Sequence, residues 1–252
     1  MDIDTIERVE EKYLISREEK KSLLSSIIKN LERDEYFSEQ VLSLYLDTKN
    51  FDFVIKSIDR PPFREKIRVR AYETPTRSSK IFFEVKSKLS KGPVKIGNKR
   101  RLVLPLKDFY TFQSGKSSLK AILEKNKVSD SKQLQIADEL DYLVKIYNLE
   151  PKLLISSDRT AYVAKENKNF RLTFDENLRF REKDLRLEKP GDYEKYFPLT
   201  NDKKHCIIME VKTMNSMPLW FVRELSKLRV FPSRFSKYGK IYQTITERNK
   251  NV

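Results

Sequence analysis

Arg64, Lys66, Arg68 and Arg70 alternate along the run Phe63-Arg-Glu-Lys-Ile-Arg-Val-Arg70. On a β-strand, residues two apart share a face. A strand here therefore carries all four cations on one side and Phe63, Ile67 and Val69 on the other. Like charges in a row repel, so a fold keeps such a row only where water or a polyanion neutralises it. The apolar face marks the core side, and the cationic face reads as a surface for a phosphate-rich ligand. Guanidinium forks match pairs of phosphate oxygens, and ammonium groups act as point charges.

The same alternation recurs. Arg8, Glu10 and Lys12 share a face, as do Glu84, Lys86 and Lys88; Arg171, Thr173 and Asp175; and Glu210 and Lys212. Any one of these runs is explained by the usual polar-out alternation of a solvated strand. Their repetition favours an antiparallel barrel with a charged lumen and an apolar outside covered by helices. On that reading the charged stripes of different strands converge on one cavity. A carboxylate among such cations either pairs with them or holds Mg²⁺ or Mn²⁺, which prefer oxygen ligands and bind alongside substrate phosphates. Glu10, Glu84, Asp175 and Glu210 are the candidates.

Composition excludes several other chemistries. The 252 residues hold 52 Lys and Arg against 37 Asp and Glu, a formal charge of +15, which calls for a polyanionic partner. There is no G-x-x-x-x-G-K-[ST] loop and no G-x-G-x-x-G fingerprint. His205 is the single histidine, so a His-based zinc site and a Ser/His/Asp triad are both excluded. Cys206, the single cysteine, reads as a small buried residue and not as a nucleophile. What remains suits phosphoryl transfer by positioning and electrostatics. The start, Met1-Asp-Ile-Asp-Thr, lacks the basic and apolar regions of a signal peptide. No run approaches the ~20 apolar residues needed to span a bilayer. The expected location is cytoplasmic, which leaves room for a membrane-protein partner.

Period and punctuation place the elements. Strands are expected near 6–15, 40–48, 63–73, 80–89, 94–105, 152–164, 169–180 and 205–213. Helices are expected near 16–31, 50–57, 106–113, 116–127, 131–147, 218–228 and 238–249. Ser16 followed by Glu19 is a capping-box signature. Lys91-Gly-Pro93 reads as a hairpin turn, Lys189-Pro-Gly-Asp192 as a loop, and 182–204 as an irregular polar insertion. The resulting class is α+β: an antiparallel β-barrel with helices packed outside.

The motifs together resemble one known family. They are Arg8-x-Glu10-x-Lys12-Tyr13, Ser43-Leu-Tyr-Leu-Asp-Thr48, Arg64-x-Lys66-x-Arg68-x-Arg70-x-Tyr72 and Glu84-Val-Lys86. Asp158-Arg-Thr-Ala-Tyr162, Arg171-Leu-Thr-Phe-Asp175, Glu210-Val-Lys212 and Phe235-Ser-Lys-Tyr238 complete the set. In this order and spacing, from about residue 6 to 241, they are similar to the VTC domain of polyphosphate polymerases. That family belongs to the triphosphate tunnel metalloenzymes, or CYTH-like superfamily. The adenylate-cyclase and thiamine-triphosphatase branch usually opens E-x-E-x-K; here Arg8 replaces the first glutamate, which favours the polymerase-like branch.

The resemblance implies a single VTC-like tunnel domain over 1–252, with a helical insertion around 106–150. It implies ATP-dependent synthesis of inorganic polyphosphate, with Mn²⁺ or Mg²⁺ as cofactor and ATP and polyphosphate as the molecules bound. Arg68, Arg70, Lys86, Arg159 and Lys237 would be catalytic. Lys12, Arg64, Lys66, Arg171, Lys212 and Ser236 would bind substrate, and Glu210 with Glu10 would hold the metal. One of Lys99, Arg100 and Arg101 would point inward. The alternatives are a tripolyphosphatase or nucleoside triphosphatase using the same tunnel, and a non-catalytic polyphosphate-binding module. A nucleic-acid binder is disfavoured, because the aromatic residues mostly alternate away from the charges instead of offering stacking platforms beside them.

Overall fold

The structure is a computed structural model that describes residues 8–91, 94–189, 191–196, 204–214 and 216–250. The expected turn at Gly92 and Pro93, Pro190 of the expected loop, the stretch 197–203 and the side chain of Arg8 lie outside the described residues. The chain forms two compact units. The first gathers Met1–Gln40, Ser157–Arg179 and Lys195–Ser236; the second gathers Val41–Ser156, Phe180–Glu194 and Lys237–Val252.

In the first unit, β1 (Arg8–Ile15) pairs antiparallel with β9 (Ile207–Met214), and β9 pairs with β7 (Arg171–Arg181). The later part of β6 (Glu150–Ala164) lies beside β7, and a two-residue strand, β8 (Glu194–Lys195), also pairs with β7. Alternation sorts the side chains. Tyr13, Ile15, Leu172, Phe174, Ile207, Met209 and Val211 form one buried apolar cluster. Helices α1 (Arg17–Ile27) and α6 (Leu219–Lys227) cover it with Leu23 and Ile27, and with Phe221 and Leu225. The Ser16–Glu19 capping box starts α1: Ser16 Oγ accepts from the Glu19 amide at 3.1 Å, and the Ser16 amide donates to the Glu19 carboxylate at 2.7 Å. Cys206 packs against the same cluster but is only half-buried, less enclosed than expected.

β2 (Leu31–Asp47) begins in the first unit and passes at Val41 into the second, where the strand order is β2–β3–β4–β5, with β3 Phe63–Tyr72, β4 Lys80–Lys91 and β5 Val94–Pro105. Ile67, Val69, Phe83, Val85, Leu102 and Leu104 turn one face into a buried cluster. Against them pack α3 (Leu106–Gln113), α4 (Leu119–Lys125) and α5 (Ser131–Ile146), through Leu106, Phe109, Leu119, Leu123, Ala137 and Leu140. The polar helical stretch after β5 is thus the cover of this sheet's apolar side. Helix α2 (Asp52–Asp59) follows β2, and α7 (Lys237–Lys250) closes the chain. Asp47, fully buried, accepts from the amides of Thr48, Phe53 and Val54 and from the Tyr238 hydroxyl at 2.8 Å. Burial raises the Asp47 pKa, and these four donors oppose that rise.

The α+β class and the antiparallel pairing are as expected. β1 and β5 each have a single strand neighbour among the described residues, so the ladder closure of a barrel is not seen in their hydrogen bonding. The strand boundaries follow the alternation closely, with one difference: β2 begins at Leu31, well before the expected residue 40. Its early residues are mostly exposed and lack a two-residue apolar period, so only its buried second half reads as a strand from sequence.

Candidate active site

The second unit carries the Arg64–Arg70 row. Cross-strand register extends it over three strands: Lys66 lies opposite Lys86, which lies opposite Lys99, and Arg68 lies opposite Glu84, which lies opposite Arg101. Arg64 faces Lys88 across the same pair. Glu84 is the centre of this face, with 1% of its side chain exposed. Arg68 donates to it from Nε and Nη2, both at 2.8 Å; Lys99 approaches at 2.7 Å and Arg101 Nε at 2.9 Å. Burial alone would raise the Glu84 carboxyl, but Arg68, Arg70 and Lys99 outweigh it and hold the group down at about 2. Burial pushes the Lys99 ammonium down to about 8, against the opposing pull of Glu84. Of the three basic residues 99–101, two join this face. Arg100 has the opposite parity and forms ion pairs with Glu139 of α5 and, at 3.6 Å, with Glu65. Register makes Lys99 and Arg101 inseparable, so the expectation of one inward residue becomes two.

Arg70 lies between Ser43 of β2 and Phe82 of β4 in the ladder. Arg64 donates to the Pro61 carbonyl at 3.0 Å, which keeps it at the end of the row. Lys237 opens α7, and its neighbour Tyr238 stacks on Tyr45 at 4.4 Å between centroids and is tied to Asp47. That anchor fixes the start of the helix carrying Lys237.

The first unit holds a second charged face. Lys12 lies opposite Glu210, and Glu10 opposite Lys212; Arg171 lies on the other side of Lys212, and Thr173 on the other side of Glu210. Lys12 Nζ sits 3.6 Å from Glu10 and 3.8 Å from Glu210, while Lys212 forms a close ion pair with the other Glu210 oxygen. Burial would raise the Glu210 carboxyl; Lys212 and Lys12 overcome that and hold it well below the usual carboxylate range. Arg159 grips Asp175 with both prongs of its fork, at 2.7 and 2.8 Å, and Asp175 is buried. Arg171 pairs with Asp34 at 3.1 Å. Asp34 sits in the part of β2 that alternation missed, so no sequence signal pointed to it. Ser236 is half-buried in the loop of this unit before α7. His205 lies in the stretch before β9, with Nε2 3.5 Å from Glu19.

The expected site residues therefore fall into two sets. Arg64, Lys66, Arg68, Arg70, Lys86 and Lys237 belong to the second unit; Lys12, Arg159, Arg171, Lys212, Ser236, Glu10 and Glu210 belong to the first. A divalent ion has a suitable pair of hard oxygen donors in Glu10 and Glu210, because one ammonium already bridges them. Among the described residues no three carboxylate, histidine or cysteine side chains converge on one point. A bound ion would have to complete its shell with water and phosphate oxygens, as Mg²⁺ and Mn²⁺ commonly do.

The fold is shared with a solved protein from Hippeastrum, described as a putative adenylyl cyclase with a dominant triphosphatase activity. The two align with a TM-score of 0.51 at 13% identity, over 94% of this chain and 96% of that one. At that identity the likeness shows the fold. The VTC domain matches residues 7–246, and the chain belongs to that family. Among curated relatives, subunit 4 of the vacuolar transporter chaperone complex is 26% identical in Trypanosoma brucei brucei and 24% identical in Trypanosoma cruzi. Each alignment covers 79% of this chain. The chain spans about a quarter of those relatives, 27% of each.

Proposed function

We propose that this domain synthesises inorganic polyphosphate from ATP. The observation that supports it most is Glu84, a buried carboxylate ringed by Arg68, Lys99 and Arg101 beside Lys66 and Lys86. Three cations share this one carboxylate, and an anion carrying several charges in a line would suit such a face. Membership of the VTC family supports the same substrate class.

On this reading Arg68, Arg70 and Lys86 bind the triphosphate, with Arg64 and Lys66 extending the row. Lys12, Arg159, Arg171 and Lys212 spread positive charge over the phosphate chain, and Ser236 and Lys237 bind a further phosphate. A terminal oxygen of the growing chain attacks the γ-phosphorus of ATP. The new P–O bond forms as the bond from that phosphorus to the β,γ-bridging oxygen breaks, and ADP leaves with the bonding electron pair. The attacking oxygen is already anionic, so no general base is required, in keeping with a site that lacks histidine. Glu210 and Glu10 would hold Mn²⁺ or Mg²⁺, which when bound neutralises charge on the transferred group. Attack by water in place of the chain would make the same residues a triphosphatase, the activity named for the Hippeastrum protein of this fold.

The test is product analysis. Pure protein incubated with ATP and Mn²⁺ should yield ADP and long phosphate polymers resolved on a gel. ADP with orthophosphate and no polymer would overturn synthesis in favour of hydrolysis.

A further inference from the structure

The second unit concentrates cations in another place, on its helical layer. An open cleft of about 490 Å³ lies beside α3, with Arg77, Lys107, Lys116 and Arg186 around it and no carboxylate in its lining. It is not part of the β3–β5 charged face. Leu106 and Phe109 of α3 are buried with Ile67, Phe83 and Leu102, on the side of the sheet opposite Lys66, Lys86 and Lys99.

Backbone bonds fix the cations of the cleft. The Lys107 amide donates to the Arg77 carbonyl at 2.8 Å, which ties the β3–β4 turn to the start of α3. Gly115, at φ +72°, turns the chain after α3, and the Lys116 amide then donates back to the Thr111 carbonyl at 3.3 Å. The Tyr110 hydroxyl accepts from the Leu187 amide at 3.0 Å and donates to Glu188 at 2.5 Å, which docks the segment carrying Arg186. Glu188 also pairs with Arg186 and so offsets one of the four charges. Three cations stay uncompensated by the lining, held together by hydrogen bonds that do not depend on their charge.

We propose that this cleft binds a condensed phosphate, a chain of three or more phosphoryl groups, at a site separate from the strand faces. The volume lies in the range of small-molecule sites, and its open form suits a chain lying along it. A lone phosphate offers one centre of charge, whereas a chain offers several to cations drawn from three segments of the fold. The choice of condensed phosphate over other polyanions rests on the proposed function.

Amine-acetylation footprinting of the full chain, read by mass spectrometry, tests both sites at once. Tripolyphosphate should protect Lys107 and Lys116 in the cleft, and separately Lys86 and Lys99 on the strand face. The double variant Arg77→Ala/Arg186→Ala should raise the half-protecting concentration at Lys107 and Lys116 by roughly tenfold and leave that at Lys86 and Lys99 unchanged. The milder Arg77→Gln serves if the double variant unfolds. Protection by ATP equal to that by tripolyphosphate assigns the cleft to a nucleotide's triphosphate; protection by tripolyphosphate alone assigns it to an inorganic chain. Unprotected Lys107 and Lys116, or equal protection by orthophosphate, overturns the cleft site. Unprotected Lys86 and Lys99 counts instead against the reading of the strand face.

Discussion

Two buried carboxylates organise two charged faces, and they are held differently. Glu84 is locked largely by guanidinium groups: Arg68 and Arg101 both donate to it from Nε, and Lys99 adds a third contact. Glu210 is held by ammonium groups, with Lys12 on one oxygen and Lys212 on the other, and a second carboxylate, Glu10, shares Lys12. Arginine forks are planar, directional and permanently charged; lysines are mobile point charges that another cation can displace. The difference teaches a division of labour. On the proposed function, the Glu84 face would be a rigid cradle whose acid orients arginines toward phosphate. The Glu210 face would be a pair of carboxylates that exchange an ammonium for a divalent ion.

The largest effect should separate the two acids by activity. Glu210→Gln should lower polymer formation on the order of 10³-fold, as loss of an electrostatic element of the reacting site does, while the fold persists. Steady-state synthesis beside a circular dichroism melt checks both halves. Glu84→Gln should instead cost stability, about 3 kcal/mol, because it strands three cations around a buried neutral amide. The low end of that range applies because Lys99 and Arg101 are partly exposed and regain water, as denaturant unfolding will show.

Proton titration sharpens the same contrast. The Glu84 pKa falls from 4.5 to about 2 on folding, so its stabilisation is complete above pH ~4.5 and is lost as pH falls through about 2. Glu84→Gln should flatten acid denaturation across that window. Lys99 titrates at about 8, below its ordinary 10.5, so its charge on the Glu84 face disappears as pH rises through about 8. Tripolyphosphate affinity measured by calorimetry should drop a few-fold there, and Lys99→Arg should remove the drop because a guanidinium stays charged. The smallest effect belongs to Arg100→Ala. Arg100 points to α5, so tripolyphosphate affinity should stay within about twofold while stability falls by ~1 kcal/mol.

Most of the fold was legible in the sequence because alternation is a strong signal where one face is buried. Ile67, Val69, Val85 and Phe83 announce their strands, and the charged partners follow by parity. The Ser16–Glu19 box marked α1 within one residue. What escaped has physical reasons. Residues 31–40 lack a buried stripe, so Asp34 and its pairing with Arg171 left no trace. The choice among Lys99, Arg100 and Arg101 needed the β4–β5 register, which depends on a hairpin whose exact pairing the sequence does not state. The cleft beside α3 draws its cations from the β3–β4 turn, both ends of a helix and a distant loop, a convergence that no local period encodes.

Manganese binding is the most direct test of the division of labour. Free and bound Mn²⁺ should be followed by electron paramagnetic resonance with tripolyphosphate present, in the parent protein, in Glu210→Gln and in Glu84→Gln. The account predicts that Glu210→Gln loses the bound ion and that Glu84→Gln retains it. Unchanged Mn²⁺ binding by folded Glu210→Gln would contradict it.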